Sequence, residues 1–340
     1  MIEDDLRASF ERHEAQAPAV GPLRRAIERL TARRRRRRRL LRTGGAAALV
    51  LVALIAVPLG LRPGPETMSL MPLYPSDAVP TGPVNVLVIG LDPYADETTG
   101  RARSDTIMLV HLPADRRHAY VISFERDLQV TAPGFGPDKI NAAYVRGGAP
   151  LVATVVSGLA GVPVHGTITV DLTALAQLTD ALGGVYMCQP VAVTSIQTGR
   201  VFPVGCYQLD GAAVADLSRQ RHDYPNEAYG RDQTVQQILF ALAKQARHGN
   251  VLTDVGRLAA LMRVNGLRIE MPFPAAVLAA QLRDLDPSEV VGFAQPSFHP
   301  AGDGSYESLD PVVAPELFAA LRAGSLDEFA TRHPDWVVTH

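Results

Sequence analysis

Seven charged side chains stand where an α/β body could use them for chemistry: Asp92, Asp105, Arg126, Lys139, Arg219, Arg221 and Arg231. Asp92 closes the apolar run "VNVLVIGLD", and Asp105 opens "DTIMLVHL". Arg126 follows "AYVISF" in "SFERD", and Lys139, one of only two lysines in the chain, sits in "DKINAAY". Arg219, Arg221 and Arg231 fall within thirteen positions, in "SRQRHDYPNEAYGR". Two converging carboxylates suit a hard divalent cation with oxygen ligands, Mg2+ (or Mn2+). Guanidinium and ammonium groups beside them suit a phosphate or pyrophosphate. Each residue also has a plain reading by itself. An Asp at a strand end commonly caps a turn, and an Arg pair two positions apart is commonly solvated or ion-paired surface. There is no P-loop, G-x-G-x-x-G, G-x-S-x-G or H-E-x-x-H, so nucleotide binding and the common hydrolases lack their signatures.

The elements that must hold these groups alternate in type. "VNVLVIGLD", "DTIMLVHL" and "AYVISF" are apolar runs of strand length, and the first reads as a strand covered on both faces. "INAAYVRGG" and "LVATVVSGLAG" read as helices, the second stopped by Gly161. "GTITVD" is a strand, "LTALAQLTDALGG" a helix and "VYMCQPVAV" a strand. "DGAAVADLSRQ" and "AYGRDQTVQQILFALAKQA" are helices flanking the arginine cluster. Further on, "DVGRLAALMRV", "PAAVLAAQLRDL" and "APELFAALRAG" read as helices, and "GLRIEM" and "VVGFAQ" as short strands extending the same sheet. Strands alternating with helices give the α/β class, in which charged residues at strand ends surround a ligand site.

Charge divides the 340 residues unevenly. Residues 1–62 hold 14 of the 33 Lys and Arg and 6 of the 35 Asp and Glu, so the remaining 278 residues carry 19 basic and 29 acidic groups. An acidic body argues against nucleic acid as a partner, which needs a broad basic face. Arg33 to Arg39 are consecutive arginines, and Thr43 to Leu61 is an uncharged apolar stretch of 19 residues, long enough to span a bilayer. Arginines on its N-terminal side place residues 1–42 in the cytoplasm as a basic tail, 43–61 in the membrane and the rest outside. A cleavable leader is the competing reading; its basic segment would be unusually long, and no clean small-x-small site follows. Residues 62–82 form a Pro-rich linker, 83–250 the main domain, and 251–340 its continuation. Outside the membrane thiols can oxidise. Cys188 and Cys206 are the only two, and a bridge between them would contribute about 3 kcal/mol by loop closure. Two free thiols or a metal pair are the alternatives, and no His stands at zinc-like spacing.

The order of the motifs is more specific than any one of them. "NVLVIGLD", "RSDTIMLVHL", "SFERD", "KINAAY", "LTDALGGV", "LDG" and "RQRH…YGR" follow one another across residues 84–247. In this the chain resembles the LytR-CpsA-Psr family of cell-wall proteins. The resemblance implies a three-layer α/β/α sandwich with a central mixed sheet, preceded by a single N-terminal transmembrane helix, and enclosing an apolar tunnel for a polyprenyl chain. It implies an Mg2+-dependent phosphotransferase, able in principle to act as a pyrophosphatase. Such an enzyme moves a glycopolymer such as teichoic acid or arabinogalactan from polyprenyl pyrophosphate onto peptidoglycan. Carried over by position, Asp92 and Asp105 are the metal carboxylates, and Arg126, Lys139, Arg219, Arg221 and Arg231 grip the pyrophosphate. The chain departs from the family pattern where Pro93-Tyr94 replaces an Arg after the first Asp and Glu125 replaces a Pro. It departs again where Ala228 replaces an Asp and Thr234 and Val235 replace Arg and Gln. The departures leave a second reading open, a non-catalytic binder of the same lipid.

Overall fold

The computed structural model describes residues 79–92, 102–224, 227–248, 261, 264–274, 278, 281–282, 285–286, 289–298 and 306–338. The tail, the apolar stretch 43–61 and nearly all of the linker lie outside the described residues. So do Pro93-Tyr94 and most of the helices expected at "DVGRLAALMRV" and "PAAVLAAQLRDL". Among the described residues no helix is long and apolar enough to cross a membrane.

Strands β1 (Val84–Asp92), β2 (Arg103–Leu112) and β3 (Ala119–Phe124) pair as an antiparallel meander. Side chains alternate between faces along a strand, and both parities here are apolar. Val84, Val86, Val88, Met108, Val110 and Val121 enter one core; Leu87, Ile89, Ile107, Leu109, Ile122 and Phe124 enter the other. Strands of this kind need cover on both sides. Strand β6 (Gly166–Asp171) joins β1 in parallel, and β12 (Val290–Ala294) joins β3 in parallel. Strands β11 (Leu267–Glu270) and β15 (Val337–Val338) close the edges antiparallel. The result is a mixed sheet ordered β11-β6-β1-β2-β3-β12-β15.

Helices α2 (Leu172–Ala181), α3 (Gly211–Leu217) and α4 (Glu227–His248) cover the first face through Leu178, Leu217 and Ile238. Helices α1 (Ile140–Ala160), α5 (Val313–Ala323) and α6 (Leu326–Arg332) cover the second through Val152, Leu317 and Phe329. The two helices expected within residues 140–160 are both present, joined end to end across a break inside α1. Gly147 and Gly148 leave helical geometry, Gly148 at φ +64°, just ahead of Pro150.

Strands β7 (Val185–Gln189), β8 (Val193–Thr194), β9 (Val201–Phe202) and β10 (Gly205–Leu209) make a two-stranded ribbon with its turn at 195–200. Cys188 lies directly opposite Cys206 in its register, and the two form the expected disulfide. Two small hairpins, β4 (Gln129–Thr131) with β5 (Pro137–Lys139) and β13 (Ser297–Phe298) with β14 (Ser308–Leu309), decorate the sheet.

Candidate active site

The C-terminal ends of the parallel neighbours β1 and β6 open onto a cleft of about 250 Å³. Ligands in open α/β sheets sit at this end of the strands. Alternation along β1 sends Val88, Gly90 and Asp92 to the cleft side. Gly90 allows the close approach of β2, because a Cβ there would lie 2.8 Å from Thr106 Cβ. Next to it the ladder slips: Gly90 faces Thr106 and Leu91 faces Ser104, so Asp105 is an extra residue with no partner on β1. A bulge re-aims side chains, and both Asp105 and Thr106 line the cleft.

Helix α4 supplies the opposite wall. Arg231, Val235 and Leu239 are spaced four residues apart and share one helix face, which runs from charged to apolar along the cleft. Gly230, beside Arg231, lets Tyr224 pack on the helix, since a Cβ at Gly230 would lie 2.4 Å from Tyr224 Cβ. Arg219 and Arg221 come from the segment after α3, and Arg126 from the turn after β3. The strand and helix positions Val88, Val170, Leu172, Leu175, Val235 and Leu239 give the cleft an apolar lining beside these charges.

Most of the charge is already paired. Arg126 Nη1 donates to Asp105 Oδ2 at 2.6 Å, and Arg231 Nη1 stands 3.9 Å from the same oxygen. Arg219 Nε donates to Asp92 Oδ2 at 3.2 Å. Asp105 Oδ1 is buried without a hydrogen-bond partner, and so is Arg221 Nη2. Burial, then the neighbouring charges of Arg231 and Arg126, push the Arg221 pKa down to about 10.

Six of the seven residues expected from the sequence line this cleft. Lys139 does not; its Nζ reaches Asp127 Oδ1 at 2.8 Å and holds that neighbouring carboxylate instead. Burial works against the Asp127 charge, but the Lys139 hydrogen bond and Arg126 outweigh it and hold its pKa below the usual carboxylate value. Three acidic residues were not singled out as site residues from the sequence. Asp232 is buried and accepts from Arg231 Nη2 at 2.7 Å. Glu125 is also buried, and its Oε2 accepts from the Asp127 backbone N–H. Asp171 ends β6, accepts from Ala174 N–H at 2.7 Å as the α2 N-cap, and lines the cleft. The chain-order signal for Asp232 was its position after the Gly-Arg pair; its partner could not be read from a helix pattern.

The profile of the LytR_cpsA_psr family matches residues 69–283. The chain belongs to this family. A polyisoprenyl-teichoic acid–peptidoglycan teichoic acid transferase, TagU, from Enterococcus faecalis is 30% identical over 173 residues, 51% of this chain and 56% of that protein. A probable cell wall biosynthesis protein, LcpB, from Corynebacterium glutamicum is 36% identical over 128 residues, 36% of this chain and 29% of that protein. The chain thus spans just over half the length of the TagU proteins it matches. Among solved structures, Bacillus subtilis TagV superposes with a TM-score of 0.61 at 19% identity, covering 73% of this chain and 98% of TagV. TagT bound to LIIa-WTA gives 0.58 at 23% identity, covering 74% and 94%. These likenesses establish a LytR-CpsA-Psr fold with a mixed sheet and flanking helices. Within that fold Val235 puts an apolar side chain on the cleft wall.

Proposed function

We propose that this chain is an extracytoplasmic phosphotransferase that moves a glycopolymer from polyprenyl pyrophosphate onto peptidoglycan. One observation carries the reading: a single cleft joins four arginines and three carboxylates to an apolar lining. A pyrophosphate with a hydrocarbon chain asks for both halves. The names of the TagU relatives describe transfer of teichoic acid to peptidoglycan, and the same class of donor and acceptor is proposed here. The apolar stretch Thr43 to Leu61, with the arginines before it, would anchor the chain with its N-terminus in the cytoplasm.

In this reaction an acceptor sugar hydroxyl oxygen bonds to the phosphorus that carries the polymer. The bond from that phosphorus to the bridging oxygen breaks, polyprenyl phosphate departs with the electron pair, and the hydroxyl proton passes to a base. Such transfers depend on positioning and charge neutralisation more than on covalent help from the protein. Arg126, Arg219, Arg221 and Arg231 would bind and orient the pyrophosphate, and Arg221 enters with a buried donor still unpaired. Water in place of the sugar hydroxyl would make the same site a pyrophosphatase. Asp92 and Asp105 would hold Mg2+ (or Mn2+), and the unpartnered Asp105 Oδ1 suits an oxygen-seeking cation. Among the described residues no three acidic, His or Cys side chains form a metal site by themselves, so phosphate oxygens and water would complete the shell. The ion would supply neutralisation of the pyrophosphate charge.

The full-length chain in detergent, given polyprenyl pyrophosphate and Mg2+, is expected to release polyprenyl phosphate or phosphate. EDTA should stop release, Mg2+ or Mn2+ should restore it, and Arg126→Ala should lower the rate by about 100-fold or more. Ala228, standing where the family has Asp, favours a second reading, a lipid binder without turnover. Tight binding with no release, unchanged by Arg126→Ala, would select that reading and end the enzyme one.

A further inference from the structure

The tip of the disulfide ribbon is bolted to the segment that carries two of the arginines. Arg219 and Arg221 line the cleft, while Gln220 between them is 2% exposed and turned to the ribbon. Ile196 N–H donates to Gln220 Oε1 at 3.2 Å, and Gln220 Nε2 donates to Gln197 Oε1 at 2.7 Å and to Asp216 O at 2.7 Å. Asp216, near the end of α3, takes the other half of the tip: Ser195 Oγ donates to its Oδ1 at 2.6 Å, and Thr198 Oγ1 to its Oδ2 at 2.5 Å. Beyond Arg221, Asp223 Oδ2 accepts from Thr194 N–H at 2.6 Å. The arginine segment is thus fastened to the ribbon before, between and after its two arginines. The Cys188–Cys206 bridge crosses the same ribbon, and Ile196 and Gln197 of its tip line the cleft themselves.

We propose that Gln220 and Asp216 are positioning residues, and that the ribbon is the template that sets Arg219 and Arg221 for a pyrophosphate. A guanidinium on a long side chain gains from being held in advance, and no secondary-structure ladder runs through residues 218–221 to hold it. Gln220 and Asp216 would act through the arginines without touching the ligand. The proposal rests on reading the cleft as a pyrophosphate site.

Inorganic pyrophosphate is the probe, titrated calorimetrically into the full-length chain in detergent. Gln220→Ala should weaken binding about tenfold, and Thr198→Val, at an exposed position that leaves the fold intact, about threefold. Thr198→Ser keeps the hydroxyl and should bind as wild type. A positioning role makes the losses non-additive: in an Arg219→Ala/Arg221→Ala background, Gln220→Ala should change affinity by less than twofold. A wild-type chain that binds no pyrophosphate overturns both the proposed function and this role. A chain that binds it, yet is indifferent to Gln220→Ala and Thr198→Val, overturns the positioning role alone. Losses that simply multiply in the double-arginine background overturn it as well.

Discussion

At the scale of single residues the site balances buried cations against buried anions, and Glu125 is where the balance is tightest. Its carboxyl is 2% exposed, Oε1 has no hydrogen-bond partner, and Arg231, Asp127 and Asp232 carry the charges around it. Burial first, then Asp232 and Asp127, raise its pKa to about 7, while Arg231 and the Asp127 N–H pull the other way. Burial likewise raises the pKa of Asp232 against the pull of Arg231. The folded chain therefore keeps a proton on Glu125 over a range where the unfolded chain, near 4.5, has lost it. Stability must fall as pH rises from about 4.5 to about 7, and change no further above that on this account. Glu125→Gln keeps an acceptor for the Asp127 N–H and removes the titration. Its melting temperature relative to wild type is expected to climb steadily between pH 5 and pH 7.5. A constant difference across that range would mean that Glu125 ionises normally. Little of this could be read from the sequence. Residue types marked Asp105 and Arg126 as candidates, but their hydrogen bond depends on how β2 registers against β3. Asp92 and Arg219 meet across 127 positions, which no local pattern encodes.

At the scale of elements, the approach of α3 to α2 sets where the arginine segment begins. Gly211 opens α3 directly after its N-cap Asp210 and donates its N–H to Asp180 Oδ1 on α2 at 2.7 Å. A Cβ on Gly211 would lie 2.1 Å from the Ala176 carbonyl oxygen, which is backbone and cannot rotate away. Gly211→Ala must push the two helices apart. Overpacking of this kind costs about 1–3 kcal/mol, which for a domain of this size is a melting temperature lower by a few to about ten degrees. Wild-type thermal unfolding by circular dichroism would show that α3 shifts freely. The elements themselves were largely legible. Strands β1 to β3 showed as unbroken apolar runs because both their faces are buried, and the stops at Gly147-Gly148 and Gly161 were marked by glycine. The bulge at Asp105 was not, since it carries neither glycine nor proline, and β15 is two residues that take meaning only from β12 beside them.

At the scale of the whole molecule, the far end of the sheet is fastened by a polar belt that is independent of the cleft. Asn85 near the start of β1 donates its amide Nδ2 to Pro163 O at 2.8 Å, which fixes its Oδ1 as an acceptor. His111 near the end of β2 must then donate Nδ1–H to that oxygen, at 2.7 Å. The Asn85 backbone N–H donates to His165 Nδ1 at 3.0 Å, so that nitrogen carries no proton. Both rings are neutral in the folded chain. Burial and then the charge of Arg116 lower the His111 pKa to about 4, and burial lowers that of His165. A base whose folded pKa lies below its unfolded value stabilises the fold above the unfolded pKa, near 6.5, and loses that contribution as pH falls toward 4. The window is the reverse of the one set by Glu125, so the two ends of the sheet titrate in opposite senses between pH 4.5 and 6.5. His111→Gln keeps a donor for Asn85 Oδ1 and cannot take up a proton. Its stability relative to wild type should rise as pH is lowered from 6.5 to 4, measured by urea unfolding at each pH. Pyrophosphate affinity at pH 7.5 should stay at the wild-type value, because β1 and β2 separate this belt from the cleft by most of their length. A variant that tracks wild type through that acid range would show that His111 is already protonated in the native fold.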